Sequence, residues 1–178
     1  IAGIDFGWQH PTAAVQILYD PEHDVIHVHA CHRAKEATPI VFAGAVRNWG
    51  EKIPWAWPHD GLQHDKGSGK TLAEQYKDSG LNMLRDRAQN EDKSYGVEAG
   101  LMDMLDRMQT GRFKVSRMLA DWWEEFRTYH RKNGIVVKER DDLMAATRYA
   151  IMMVRYARPI VDPIKRDPTT PKKNADAE

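Results

Sequence analysis

The sequence predicts a mixed α/β domain whose sheet joins an antiparallel three-strand meander to later parallel strands, with helices on its flanks. Three observations lead there. Residues 1–34 hold three apolar runs separated by short polar links, the pattern of a meander. Helical and strand-like segments then alternate, which adds parallel strands by crossover. The second half carries apolar residues at three- and four-residue spacing, as in helices with one buried face.

The elements follow in order. Residues 1–6 form a short apolar run interrupted by one carboxylate, Asp5, and ended by Gly7. Residues 12–19 (TAAVQILY) are the second strand, and Asp20-Pro21-Glu22-His23 is a turn. Residues 25–34 alternate with period two, with Val25, His27, His29 and Cys31 on one side and Ile26, Val28 and Ala30 on the other. Residues 38–49 read as a helix, with Thr38 at the N-cap, Pro39 at the first helical position and Gly50 after the end. Residues 53–57 are a short strand followed by Pro58-His59-Asp60-Gly61. A second helix is expected over residues 68–79 and a further strand over 81–84.

Residues 97–108 are helical by the recurrence of Val97, Leu101, Met104, Leu105 and Met108. The same spacing continues over residues 115–131 through Val115, Met118, Leu119, Trp122, Phe126 and Tyr129, closing on Asn133-Gly134. Residues 135–137 are β-branched and short, and residues 141–157 form a last helix. From Pro159 the composition shifts to Pro, Lys, Asp and Thr. Residues 1–158 are therefore read as the folded domain and 159–178 as a mobile C-terminal tail.

Composition narrows the classes of function. The chain has 178 residues and is 42% hydrophobic, enough to bury a core. Its 26 Lys and Arg balance 26 Asp and Glu, so it is not a uniformly basic nucleic-acid binder. One cysteine, Cys31, excludes a disulfide framework and a cysteine-rich zinc site. No apolar run approaches the ~20 residues needed to span a bilayer, and no signal peptide is visible. The chain opens on Ile1 and runs straight into an apolar segment, which reads as a piece of a longer protein.

Four carboxylates stand where an ordinary fold has no need of them. Asp5 is the one charge in the first strand; Asp60 follows the fourth; Asp141 and Asp142 open the last helix. If the first and fourth strands are parallel neighbours and the last helix packs on them, these groups converge. Carboxylates a few ångströms apart repel, and one is forced neutral unless a cation intervenes. Hard oxygen donors select Mg²⁺ or Mn²⁺. Two such ions about 3.5–4 Å apart activate water and stabilise the leaving oxygen of a phosphodiester. Taken singly, each residue has an ordinary reading: Asp5 as an edge residue, Asp60 as a turn residue, Asp141 and Asp142 as partners of the helix dipole. Their order and placement together carry the argument.

The stretches IAGIDFGWQHPTAAV, WAWPHDG and RDDLMAATRYA resemble the C-terminal nuclease domain of the large terminase subunit of tailed bacteriophages of the headful-packaging kind. The likeness runs from Ile1 to about Ala157. It implies a ribonuclease H-like fold and an endonuclease that cuts concatemeric viral DNA in the host cytoplasm. It also implies two divalent metal ions and, as partners, double-stranded DNA, an N-terminal ATPase motor domain, the portal and the small terminase subunit. The family's acidic pattern falls on Asp5, Asp60 and the Asp141/Asp142 pair. Many relatives carry a DAxRYA-type signature at the last helix. Here that stretch is Ala145-Ala146-Thr147-Arg148-Tyr149-Ala150, without its leading Asp, so the third acidic role falls to Asp141 or Asp142.

Other features carry weaker chemistry. Gly67-Ser68-Gly69-Lys70-Thr71 is not a P-loop, because His64 stands where a P-loop has its first glycine. It reads instead as a basic loop near the active face that touches DNA. His23, His27, His29 and His32 lack zinc-site spacing and read as surface or packing residues, whereas His10 and His59 sit close to the acidic candidates. Trp55, Trp57 and Trp122 read as core, Trp123 as partly exposed. From Arg107 to Arg140 nine basic residues (Arg107, Arg112, Lys114, Arg117, Arg127, Arg131, Lys132, Lys138, Arg140) face four acidic ones (Asp121, Glu124, Glu125, Glu139), a segment suited to phosphates or simply to water. GRFKV (111–115) and GIVVK (134–138) are candidates to pair as a β-ribbon beside the cleft. A junction resolvase or transposase-like nuclease of the same fold group, and a non-catalytic portal or DNA docking module, are the alternative readings.

Overall fold

The computed structural model describes residues 1–137 and 139–159; the expected tail from residue 160 onward, and Lys138, lie outside the described residues. Strands β1 (Ala2–Asp5), β2 (Thr12–Asp20) and β3 (Val25–Ala34) form the antiparallel meander. Helix α1 (Pro39–Val46) leads through a 3-10 turn to β4 (Pro54–Ala56), which pairs parallel with β1. Helix α2 (Leu72–Asp78) then leads to β5 (Asn82–Met83), parallel with β4. Helix α3 (Val97–Gln109) returns to the opposite edge, where β6 (Phe113–Val115) pairs parallel with β3. The six-stranded sheet has the order β5-β4-β1-β2-β3-β6. Helix α4 (Ala120–Thr128), a small hairpin of β7 (Arg131–Lys132) and β8 (Ile135–Val136), and α5 (Asp142–Met152) complete the chain.

Strand alternation sorts the core into two layers. Ala13, Val15 and Ile17 of β2, with Ile26 and Val28 of β3, meet Met104 of α3, Trp122 of α4 and Leu143, Ala146 and Ala150 of α5. On the other face Ala2, Ile4 and Ala14 meet Phe42, Ala43 and Val46 of α1 and Ala73 and Tyr76 of α2. Trp55, Trp57 and Trp122 are core residues, and Trp123 is half-buried. Among the described residues no helix is long and apolar enough to cross a membrane.

Several local expectations need correction. The second helix starts at Leu72, not at residue 68, because Thr71 caps it: its hydroxyl accepts from the Glu74 N–H while the Glu74 carboxylate accepts from the Thr71 N–H. Val115 is in strand β6, so the following helix is confined to Ala120–Thr128. Among the described residues the expected ribbon does not form. Phe113–Val115 extends the main sheet, while Ile135–Val136 pairs with Arg131–Lys132. Asn133 and Gly134, both at positive φ, are the turn of that hairpin rather than the end of a helix. The last helix ends at Met152 and continues as a 3-10 turn, Val154–Tyr156.

Candidate active site

Asp5 is the last residue of β1. Side chains alternate along a strand, so Asp5 shares its face with Gly3 and not with Ile4. Gly3 is where α5 crosses the sheet. A Cβ there would stand 2.0 Å from the Ala146 carbonyl oxygen and 2.8 Å from the Ala150 nitrogen. Asp142, the first residue of α5, lies one helical turn before Ala146. The close approach at Gly3 thus brings the start of α5 toward Asp5.

Asp60 lies in the 3-10 turn His59–Leu62 that follows β4. The next residue, Gly61, packs against the ring of Trp57 and against Phe6; a Cβ on it would come within 2.3 Å of Trp57 Cε3 and 3.0 Å of Phe6 Cε2. Phe6 follows Asp5, so this contact presses the turn onto the end of β1.

The electrostatics reflect this convergence. Burial pushes the Asp5 carboxyl up to about 8, repulsion from Asp142 and then Asp141 adds to it, Arg148 opposes it, and Asp60 adds a smaller push. Burial and Asp141 also raise Asp142, with His10 opposing. Asp60, Asp141 and Asp142 therefore all lie within electrostatic reach of Asp5. Among the described residues, no three Asp, Glu, His or Cys side chains stand ready to hold a metal ion. The donor chemistry still fits a hard divalent cation. The carboxylates repel one another and Arg148 offsets only part of that repulsion at Asp5; Mg²⁺ needs only one or two of them, taking its other ligands from water and substrate phosphate.

Arg148, Glu125 and Arg33, to which sequence reasoning assigned no role in the site, belong to the same region. Arg148 is buried, with its stem crossing α3 at Gly100, where a Cβ would stand 2.7 Å from Arg148 Cγ; its guanidinium lies 4.4 Å from the centre of the Tyr149 ring. Glu125 of α4 has a fully buried side chain. Its Oε2 accepts from the Leu143 N–H at 2.7 Å, and its Oε1 accepts from Arg33 of β3 at 3.0 Å. Burial first, and then Asp142, pushes this carboxyl up to about 7 against those two donors. The available signal was a glutamate three residues after Trp122, on the apolar side of an otherwise amphipathic helix.

The other candidates are more peripheral. His10 is exposed, and His59 accepts a hydrogen bond from Arg87, whose guanidinium lies 3.7 Å from the centre of the Tyr95 ring. His23 pairs with Asp20, His27 and His29 are exposed, and His32 packs on Phe42. The loop at Gly67 is exposed and folded on itself, with Lys70 paired to Asp78 at 2.6 Å. Much of the basic segment is already neutralised. Arg107 pairs with Asp24 and Asp103, Arg112 with Asp24 and Asp106, Arg131 with Glu98, and Arg140 with Glu124.

Comparison with known proteins gives consistent results. Residues 2–154 match the family described as the Terminase RNaseH-like domain. The chain is 46% identical over 159 residues to the terminase large subunit of Salmonella phage P22 and 47% identical over 150 residues to that of Enterobacteria phage LP7. These stretches cover 89% and 84% of the chain but 32% of each relative, so the chain spans about a third of their length. The solved P22 large terminase nuclease domain is similar at a TM-score of 0.82 and 46% identity, covering 89% of this chain and 82% of that one. The fold is shared more distantly, at 19% identity, by two other nuclease domains. That of the SPP1 large terminase g2p, with bound Mn, has a TM-score of 0.55 and covers 86% of this chain and 84% of its own. That of the phage G20c large terminase, with bound magnesium, has a TM-score of 0.56 and covers 84% and 78%.

Proposed function

The chain belongs to the Terminase RNaseH-like domain family, and on that footing we propose that it is the nuclease part of a large terminase. It is a metal-dependent endonuclease that cuts concatemeric viral DNA during genome packaging in the host cytoplasm. The observation that carries this reading is the state of Asp5, a half-buried carboxyl pushed up first by burial and then by repulsion from Asp142, Asp141 and Asp60, which come from two distant parts of the chain. A fold gains nothing from such crowding unless a cation joins it. The bound metals of the SPP1 and G20c nuclease domains support divalent ions as that cation.

Asp5, Asp60, Asp141 and Asp142 would hold two Mg²⁺ or Mn²⁺ ions. Bound there, the ions would supply Lewis acidity to the attacking water and to the leaving 3′ oxygen. The protein's own contribution is placement. The rigid end of β1 fixes Asp5, the Gly61–Phe6 contact fixes the Asp60 turn, and the start of α5 carries the acidic pair. Arg148 supplies a buried positive charge that offsets part of the repulsion at Asp5. Cleavage leaves 5′ phosphate and 3′ hydroxyl ends. The duplex is delivered by an N-terminal ATPase motor domain of the same full-length protein, which works with the portal and the small terminase subunit.

Plasmid cleavage with Mn²⁺ or Mg²⁺ tests this reading. The parent should nick and linearise plasmid only with metal present, and Asp5→Asn should abolish cutting. An Asp5→Asn protein that cuts as fast as the parent contradicts the assignment.

A further inference from the structure

The acidic pair at the start of α5 is gripped on both sides by adjacent residues of α4. On one side the Glu125 carboxylate accepts from the N–H of Leu143, the residue after Asp142. On the other, Glu124 Oε1 accepts from the guanidinium of Arg140, the residue before Asp141, at 3.1 Å. Both glutamates are tied to one cation. Arg33 of β3 donates to Glu125 Oε1 and Glu124 Oε2, each at 3.0 Å, and to Asp121 at the same distance. Arg140 has a left-handed backbone (φ 52°), so the approach to α5 is a constrained turn.

This arrangement is costly for stability alone. A fully buried glutamate whose remaining neighbours include Asp142 is poorly placed as a simple fastener. A second α4–α5 bond already joins the helices: Trp122 Nε1 donates to Thr147 Oγ1 at 2.9 Å, and that hydroxyl donates to the Leu143 carbonyl. What the Arg33 network adds is a direct hold on the backbone just after Asp142, through the Leu143 N–H, and an exposed side-chain tie to Arg140 just before Asp141. The spacing of two carboxylates that share a cation depends on that backbone, because each side chain has only two rotatable bonds beyond it.

We propose that Arg33, Glu124 and Glu125 form a clamp that sets the position of the Asp141–Asp142 pair for metal binding. All three are positioning residues; none touches the substrate. The inference rests on the nuclease reading and adds residues to it on β3 and α4, outside the acidic cluster.

The test measures Mn²⁺ affinity by the loss of the free-ion EPR signal, at a temperature where thermal melts show every protein folded. Glu125→Gln keeps one acceptor for the Leu143 N–H but turns an NH₂ group toward Arg33. It should weaken Mn²⁺ binding on the order of 10–100-fold, the usual effect of disturbing a ligand's supporting bonds. Glu124→Gln, on the more exposed arm, should weaken it less. Trp122→Phe removes the other interhelical bond and is the stability control: it should lower the melting temperature and leave Mn²⁺ affinity at the parent value. Glu125→Gln binding Mn²⁺ like the parent, or Trp122→Phe losing as much affinity, overturns the clamp alone. A parent chain that binds no Mn²⁺ overturns both the clamp and the nuclease reading.

Discussion

Gly3 of β1 lies directly beneath Ala146 of α5, so close that a methyl group at position 3 would stand 2.0 Å from the Ala146 carbonyl oxygen. This contact sets the height of α5 above the sheet, and with it the distance from the start of the helix to the end of β1. Gly3→Ala must therefore lift or tilt α5. We expect a loss of about 1–3 kcal/mol, the usual cost of overpacking a tight core, measurable by urea unfolding. Because the helix carries Asp141 and Asp142, the same variant should also lose cleavage activity while still folded.

Asp5 makes the metal-free domain sensitive to pH. Its carboxyl titrates at an ordinary 3.8 when unfolded and at about 8 when folded. Between those values the folded state holds more protons than the unfolded state, so stability falls as pH rises across that window and levels off above it. Asp5→Asn should flatten this part of the profile and raise the melting temperature above pH 8 in the absence of metal, while abolishing cutting. Thermal melts from pH 5 to 9 with a chelator check the sign. A parent whose stability rises toward pH 8 relative to Asp5→Asn would contradict the burial of this charge.

Arg33 should be costly to remove. Arg33→Met leaves the fully buried Glu125 carboxylate with the Leu143 N–H as its one remaining donor among those identified. Breaking one side of a buried pair costs about 3–5 kcal/mol. A drop of that size in urea unfolding, against a change near zero for the exposed Arg117→Met, is the expected result.

The capping box of α2 offers a smaller and cleaner effect. Thr71→Ala removes the hydroxyl that accepts from Glu74 N–H and donates to the Glu74 carboxylate, leaving that carboxylate the backbone N–H of residue 71. The expected loss is about 1 kcal/mol. Amide exchange should quicken in the first turn of α2, with no effect on cleavage.

The parts of this fold that were legible in the sequence are those whose pattern is local. Period-two alternation over residues 25–34 marks β3, Asp20-Pro21 marks its turn, and Val97, Leu101, Met104 and Met108 mark α3. The parallel pairing of the three-residue β4 with β1 was anticipated, but the partners of β6 and β8 were not legible. Nothing in Phe113–Val115 announces that its partner is β3, and Ile135–Val136 finds its partner through the Asn133-Gly134 turn. The acidic residues could be chosen from their placement in the chain. Glu125 could not, because its role depends on Leu143 and Arg33, 18 and 92 residues away in the chain. The basic count over residues 107–140 pointed toward phosphate, but side-chain packing commits Arg107, Arg112, Arg131 and Arg140 to carboxylates.

A crystal of this chain soaked in Mn²⁺ and measured at the manganese absorption edge shows which carboxylates share an ion. If these carboxylates form the metal site, anomalous density appears coordinated by Asp5 together with Asp60 and at least one of Asp141 and Asp142. Manganese bound elsewhere, with an Asp5 carboxylate that touches no ion at full soaking concentration, would contradict that site.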